Sequence, residues 1–183
     1  GSLTASFTAR TNLDSMASFD YENLSAVSQS LASFAAVIFA YCGITNYSID
    51  PVLSTITTNS LVKKANCRDI LQMITISGCA NVFVTRGNII TLKCNPALIT
   101  SPVDTADFDN MYNEPQIVLD KAVKRVEVTY WSNLTTSAII GVNSTTDTLG
   151  DTIKLEGNTL INDSSRATVV ANWFFAQLKY RAT

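Results

Sequence analysis

The sequence contains no histidine. That removes the commonest general base near neutral pH, every Ser-His-Asp relay and every Cys-His nucleophile pair, so any catalysis would rest on carboxylates. Charge is scarce too: 15% of the residues are Asp, Glu, Lys or Arg, and 13 basic residues against 15 acidic ones leave a net charge of −2. A chain with no positive excess has no long-range field to attract a phosphate backbone, and nucleic acid is not an expected partner. Long apolar runs are missing as well. The most apolar stretch, residues 32–41, is about half of the ~20 residues a bilayer span needs and has helical periodicity, which predicts a core helix and no membrane span. The four cysteines, Cys42, Cys67, Cys79 and Cys94, include no CxxC pair, so neither a zinc site nor any other metal or cofactor is expected.

What is present is 46% hydrophobic residues in a chain of 183, with Ser, Thr and Asn making up for the missing charge. That length supports one large or two small domains. Gly1-Ser2 reads as a cloning scar, and the chain is expected to be a fragment of a longer protein. The sequons at Asn23, Asn46, Asn133, Asn143 and Asn162 are expected by chance at this Ser/Thr content.

The clearest unit is residues 66–93, NCRDILQMITISGCANVFVTRGNIITLK. Asn66 is placed to cap a helix over 67–78 with Asp69 at its third position, and Ile70, Leu71 and Ile74 recur at helical spacing. The period then changes to that of a hairpin over 81–93, with its bend at Gly87. This unit resembles one in the hub or tail-tip proteins of Gram-positive phages and prophages, where a helix of the form (S/C)-R-(D/E)-x-L-Q-x-I precedes a hairpin with an R-(D)-G-x-I turn. Two further stretches carry the same resemblance. LTASFTARTNLDSM near the start is similar to the family's L-T-A-T-F-T-A-R-D-L-L, and GNTLINDSSRATVVANWFFAQLKYR near the end is similar to N-P-L-I-(T)-x-x-x-A-x-x-V-A-x-W-(x6)-R. Thr159 stands where the family has proline, and the turn lacks the usual acidic residue beside Gly87.

The resemblance implies a non-enzymatic structural subunit of a tail tip or baseplate hub, three-fold in the intact protein, that joins the tail tube to other tail or baseplate proteins. It implies assembly in the bacterial cytoplasm and residence at the tail tip of the virion. A reducing site of assembly implies four free thiols. The resemblance also singles out Arg10 and Arg68 as structural polar residues, alongside Asn66, Asp69 and Gly87.

Taken in order, residues 3–9 alternate as a strand, and a helix is predicted over 24–42, ending at Gly43 as a left-handed cap. Residues 46–61 read as a connector, with a short strand at Leu61 and Val62 leading into the central helix, and 101–110 as a linker. Strands are predicted over 116–119, 123–131, 137–142 and 152–155, and a helix opens at Ser164 or Ser165 with Ala167, Val170, Ala171, Phe174 and Leu178 on one face. The expected fold is α+β. A small helix-plus-hairpin domain (19–100) is inserted into an antiparallel, partly closed barrel-like domain (3–18 and 111–183) that carries the C-terminal helix and is joined by the N-terminal strand.

Candidate chemistry is thin. Asp104, Asp107, Asp109 and Glu114 form the one acidic cluster, but they lack the glycine and terminal glutamate of a calcium loop and read as a solvated linker. Tyr112, Lys121, Lys124, Arg125, Tyr130 and Trp131 are the candidate subunit or ligand contacts. A binding module for a host-surface glycan, built on exposed aromatics such as Trp131 and Tyr112, is the alternative function, and Trp173 is expected in the core. A tail-associated hydrolase is the weakest reading.

Overall fold

A computed structural model describes residues 12–95, 123–143 and 150–179. Arg10, Tyr112, Lys121, the acidic cluster at 104–114 and the expected strands at 3–9 and 116–119 lie outside the described residues.

The chain begins with a short helical turn, α1 (Asn12–Ser15), and a 3-10 turn that buries Met16 completely. Strand β1 (Asp20–Asn23) follows, then β2 (Gln29–Ser30) leading directly into α2 (Leu31–Tyr41). The helix expected over 24–42 therefore starts seven residues later, because the backbone at Gln29 and Ser30 pairs with a strand and Ser30 Oγ accepts the Ser33 N–H as a cap. Leu24 and Val27, counted by periodicity on the helix face, are 59% and 51% exposed instead. The far end is as expected. Gly43 (φ +69°) donates to Ala40 O at 3.0 Å and Ile44 donates to Phe39 O at 2.9 Å, the paired bonds of a Schellman stop.

Residues 46–61 are more structured than a connector. They hold β3 (Tyr47–Ile49), a 3-10 turn (Pro51–Thr55) capped by Asp50, and β4 (Thr57–Thr58), which pairs antiparallel with β2. Leu53, fully buried, pins the turn to the core. Strand β5 (Val62–Asn66) pairs antiparallel with β1 and runs into α3 (Cys67–Gly78). Asn66 caps it as expected: its Oδ1 accepts the Asp69 N–H at 2.9 Å, and its Nδ2 donates back to Asp69 Oδ2 at 2.7 Å. Gly78 is the last helical residue, and Cys79 (φ +51°) takes the left-handed position after it. A β-carbon on Gly78 would overlap Leu53 Cδ2, so the glycine serves close approach.

The hairpin is β6 (Ala80–Val84) and β7 (Ile90–Cys94), in the register Val82↔Leu92. Asn88 N–H closes the turn on Thr85 O at 2.9 Å, which puts Arg86 and Gly87 at its centre, so the bend sits at Gly87 as expected, and the left-handed residue is Asn88, which follows it (φ +56°). Parallel pairing of β3 with β7 makes a sheet in the order β3-β7-β6.

The second half contains β8 (Val123–Trp131), β9 (Ser137–Asn143), β10 (Asp151–Leu155) and α4 (Ser164–Lys179). These strands lie where expected, but the sheet is mixed: β9 is antiparallel to β8 and β10 is parallel to it, in the order β10-β8-β9. Alternation identifies a strand without fixing its partner or direction. The described residues form four small sheets and no closed barrel, and the architecture is α+β.

Two hydrophobic clusters result. The first gathers Phe34, Ile38 and Phe39 of α2, Ile70, Leu71 and Ile74 of α3, and Ile90 and Leu92 of β7. The second packs Val126 and Val128 of β8 against Ala167, Val170 and Ala171 of α4. No helix among the described residues is long and apolar enough to cross a membrane.

Candidate functional site

The segment 157–163, GNTLIND, joins the two clusters. Leu160 belongs to the first and Ile161 to the second, so adjacent side chains face opposite cores. The backbone polar groups of such a segment need partners, and asparagines supply them. Asn158 Nδ2 donates to Met73 O at 2.9 Å and Ser77 Oγ at 3.0 Å, while its Oδ1 accepts Leu160 N–H at 3.1 Å. Thr159 Oγ1 donates to Leu61 O. Asn162 Oδ1 accepts from Asn59 N–H at 2.7 Å and Thr58 Oγ1 at 3.0 Å, and its Nδ2 donates to Trp131 O at 3.1 Å. Asp163 caps α4 by accepting Arg166 N–H at 2.8 Å, and Arg166 Nε in turn donates to Ser77 O at 2.6 Å, at the negative end of α3.

This junction fixes Trp131. Its N–H donates to Ile161 O at 2.8 Å, and its carbonyl accepts the Asn162 side chain. The ring, half-buried, lines a cleft of about 270 Å³ with Lys63, Lys64, Met73, Gly157 and Thr159. Lys63 Nζ sits 5.7 Å from the ring centroid, within cation–π range. Lys64 is 3.4 Å from Asp20 in an exposed pair that contributes little. The indole Nε1 is buried with no hydrogen-bond partner among the described residues. Gly157 (φ +77°) has open space where a β-carbon would lie, so its backbone angle is what favours glycine. An aromatic face and an ammonium group thus line one cleft. Among the described residues its lining carries no carboxylate or thiol.

The other candidates separate. Arg125 lies across Gly141, with Nε 2.7 Å from Glu127 Oε1 and Nη1 donating to Asn143 Oδ1 at 2.6 Å, so it ties β8 to β9. Lys124 is half-buried on the same strand, and Tyr130 packs against the second cluster. Arg68 reaches Asp14 at 3.4 Å at the surface, beside the Asn66–Asp69 cap. None of these joins Trp131 in its cleft. Lys63 and Asn158 were not singled out in the sequence, and Thr159 and Asn162 were noted there without a structural role, although asparagines flanking a Leu-Ile pair were the available signal of a buried polar junction.

All four thiols are free, and burial is the first cause raising each above its ordinary pKa. At Cys79 the effect is opposed by Arg166, whose Nη2 lies 3.4 Å from the sulfur. No cluster of three or more Cys, Asp or Glu side chains among the described residues is placed to hold a metal ion. In comparisons with known proteins, no family model matches the chain and no curated protein matches it.

Proposed function

We propose that the chain is a structural subunit of a phage or prophage tail tip or baseplate hub, acting by assembly with copies of itself and with neighbouring tail proteins. The observation that carries this reading is where the resembling stretches meet. The helix-and-hairpin unit at 66–93 and the GNTLIND stretch are held together by Asn158 on Met73 and Ser77, and by Arg166 on Ser77. Two of the stretches that carry the resemblance thus meet at the junction that couples the two clusters.

Interaction surface supports the same reading. On its outer side β9 has no strand partner among the described residues, and its sequence SAIIGVN carries neither charge nor proline, with Ile139 59% exposed. An apolar strand edge without such guards invites pairing with another chain. In this reading β9 is the edge at which the barrel-like domain is completed within a three-fold ring. The protein is assembled in the bacterial cytoplasm, resides at the virion tail tip and has no catalytic role.

The test is negative-stain electron microscopy with solution mass, on the full natural protein and its Ile139→Lys variant. Three-fold rings that the lysine disrupts are expected. A monomer at every concentration overturns the hub reading and favours the second, a glycan-binding module.

That second reading rests on the Trp131 cleft. An indole face stacks on the apolar face of a sugar ring, and Lys63 would meet its hydroxyl or carboxylate oxygens. Host-surface glycans titrated against the chain should quench tryptophan fluorescence, and Trp131→Ala should abolish binding. Binding retained in that variant removes the cleft from consideration.

A further inference from the structure

Leu13 packs against the first cluster and lines a groove of about 380 Å³ together with Leu71 and Gln72 of α3 and Ala80, Asn81 and Val82 of β6. Leu71 and Ala80 are buried beneath it, and Val82 packs against the cluster from the strand side. Successive side chains of a strand point to opposite faces, so a groove touched by three consecutive residues of β6 runs along the edge of that strand.

That edge is open. In the sheet β3-β7-β6, β6 pairs with β7 and has no strand on its other side among the described residues. Asn95 N–H donates to Cys79 O and Thr85 N–H donates to Ile89 O. By the alternation of an antiparallel pair, Asn81 and Phe83 then turn their N–H and C=O groups toward β7, while Ala80, Val82 and Val84 turn theirs outward. The edge sequence ANVFV has neither charge nor proline to discourage pairing.

We propose that residues 3–9, LTASFTA, occupy this groove as an added strand on β6, supplied by the same chain. Reach selects this segment. The described residues begin at Asn12 and Leu13 is already in the groove, so Ala9 is separated from it by no more than ~14 Å of extended chain. Pattern selects it too. Leu3, Ala5 and Phe7 alternate with Thr4, Ser6 and Thr8, which offers an apolar face to Leu71 and Val82 and a polar face to water. Seven extended residues span about 23 Å, enough to cover the five residues of β6. The tether is also anchored, since Met16 is fully buried and Arg68 lies 3.4 Å from Asp14. A short anchored tether gives an effective concentration in the mM range, so the chain's own segment takes the edge ahead of another copy's. The N-terminal strand then extends the sheet β3-β7-β6, and not the sheet of β8, β9 and β10 that residues 3–9 were expected to join.

The test is residue-resolved amide hydrogen exchange by NMR, on the full chain and on a variant lacking residues 3–9, at two protein concentrations tenfold apart. The outward amides of Val82 and Val84 should exchange at least about a hundredfold more slowly in the full chain at both concentrations, while Asn81 and Phe83, turned toward β7, change little. The double variant Ala5→Pro/Ser6→Pro should give the same loss of protection and serves where the shortened chain does not fold. Adjacent strand residues turn their N–H groups to opposite sides, so one of the two prolines must face β6. Fast exchange of Val82 and Val84 in the full chain would overturn the proposal by showing an open edge. Protection that survives both variants would overturn it by assigning the edge to another segment, and protection found only at the higher concentration would assign it to another copy.

Discussion

Replacing Asn158 by alanine should uncouple the two clusters. The side chain is 5% exposed and makes three hydrogen bonds: two donated to α3 and one accepted from Leu160 N–H. At roughly 0.5–1.5 kcal/mol each, with Leu160 N–H left buried and unpaired, the expected loss is about 2–4 kcal/mol. For a chain of this length that lowers Tm by about 5–15 °C. The assay is urea unfolding followed by two probes. Trp173 packs against the second cluster and Trp131 lies where the two halves meet, so tryptophan fluorescence reports the second half and its contact with the first, while far-UV circular dichroism includes α2 and α3. The wild-type transitions should coincide, and those of Asn158→Ala should separate. Asn158→Asp keeps the shape but places a carboxylate beside the Met73 carbonyl, so it should be worse than alanine at pH 7 and recover as acid protonates it. A loss below about 0.5 kcal/mol with coincident transitions would refute the reasoning, since a buried three-bond junction cannot be that cheap to remove.

Asn66→Ala should cost about 1 kcal/mol, the usual worth of a helix cap, read from the urea midpoint, and Asn66→Ser should recover most of it. Gly78→Ala gains helix propensity but drives a methyl into the fully buried Leu53, so a net loss of about 1–3 kcal/mol is expected, smaller when Leu53→Ala is already present. Because the Cys42 pKa is raised in the folded state, that state holds its proton where the unfolded chain releases it. Stability should therefore be unaffected below pH 9, fall as pH rises from about 9 toward about 12, and fall less steeply in Cys42→Ala, measured by urea unfolding at each pH. Native chain at pH 8 should react slowly with a thiol reagent and release all four thiols on denaturation.

Local chemistry was the legible part of the fold. The Asn66 cap, the helix at 67–78, the Gly43 stop and the strands β8, β9 and β10 follow from side-chain hydrogen bonding, φ preference and apolar spacing within a few residues. Competition between distant segments was not legible. Leu24 and Val27 fit a helical stripe, yet β2 pairs with β4, and the Leu31 N–H donates to Ile56 O at 2.8 Å, 25 residues away, so the helix cannot extend backwards. The direction of β10 was hidden for the same reason: alternation records which face is buried, not which strand lies alongside. At the site, Trp131 was visible as an aromatic at a strand end, but Lys63 is brought over it by β5, which no local pattern near Trp131 encodes.

Polar positions at the junction are more constrained in identity than the apolar positions around them. Apolar positions in a core tolerate exchange among Leu, Ile and Val at modest cost, so they hold a pattern without holding an identity. Asn158 and Asn162 are more constrained, because each must donate and accept at once. Asn158 donates to a helix carbonyl and a hydroxyl while accepting a backbone N–H, and Asn162 donates to Trp131 O while accepting from Asn59 and Thr58. Of the short side chains, the carboxamide alone offers a fixed donor and acceptor side by side. Thr159 donates its hydroxyl to Leu61 O, a bond that a proline at this position could not make. Thr159 therefore adds a tie across the same junction, beside those that the asparagines make.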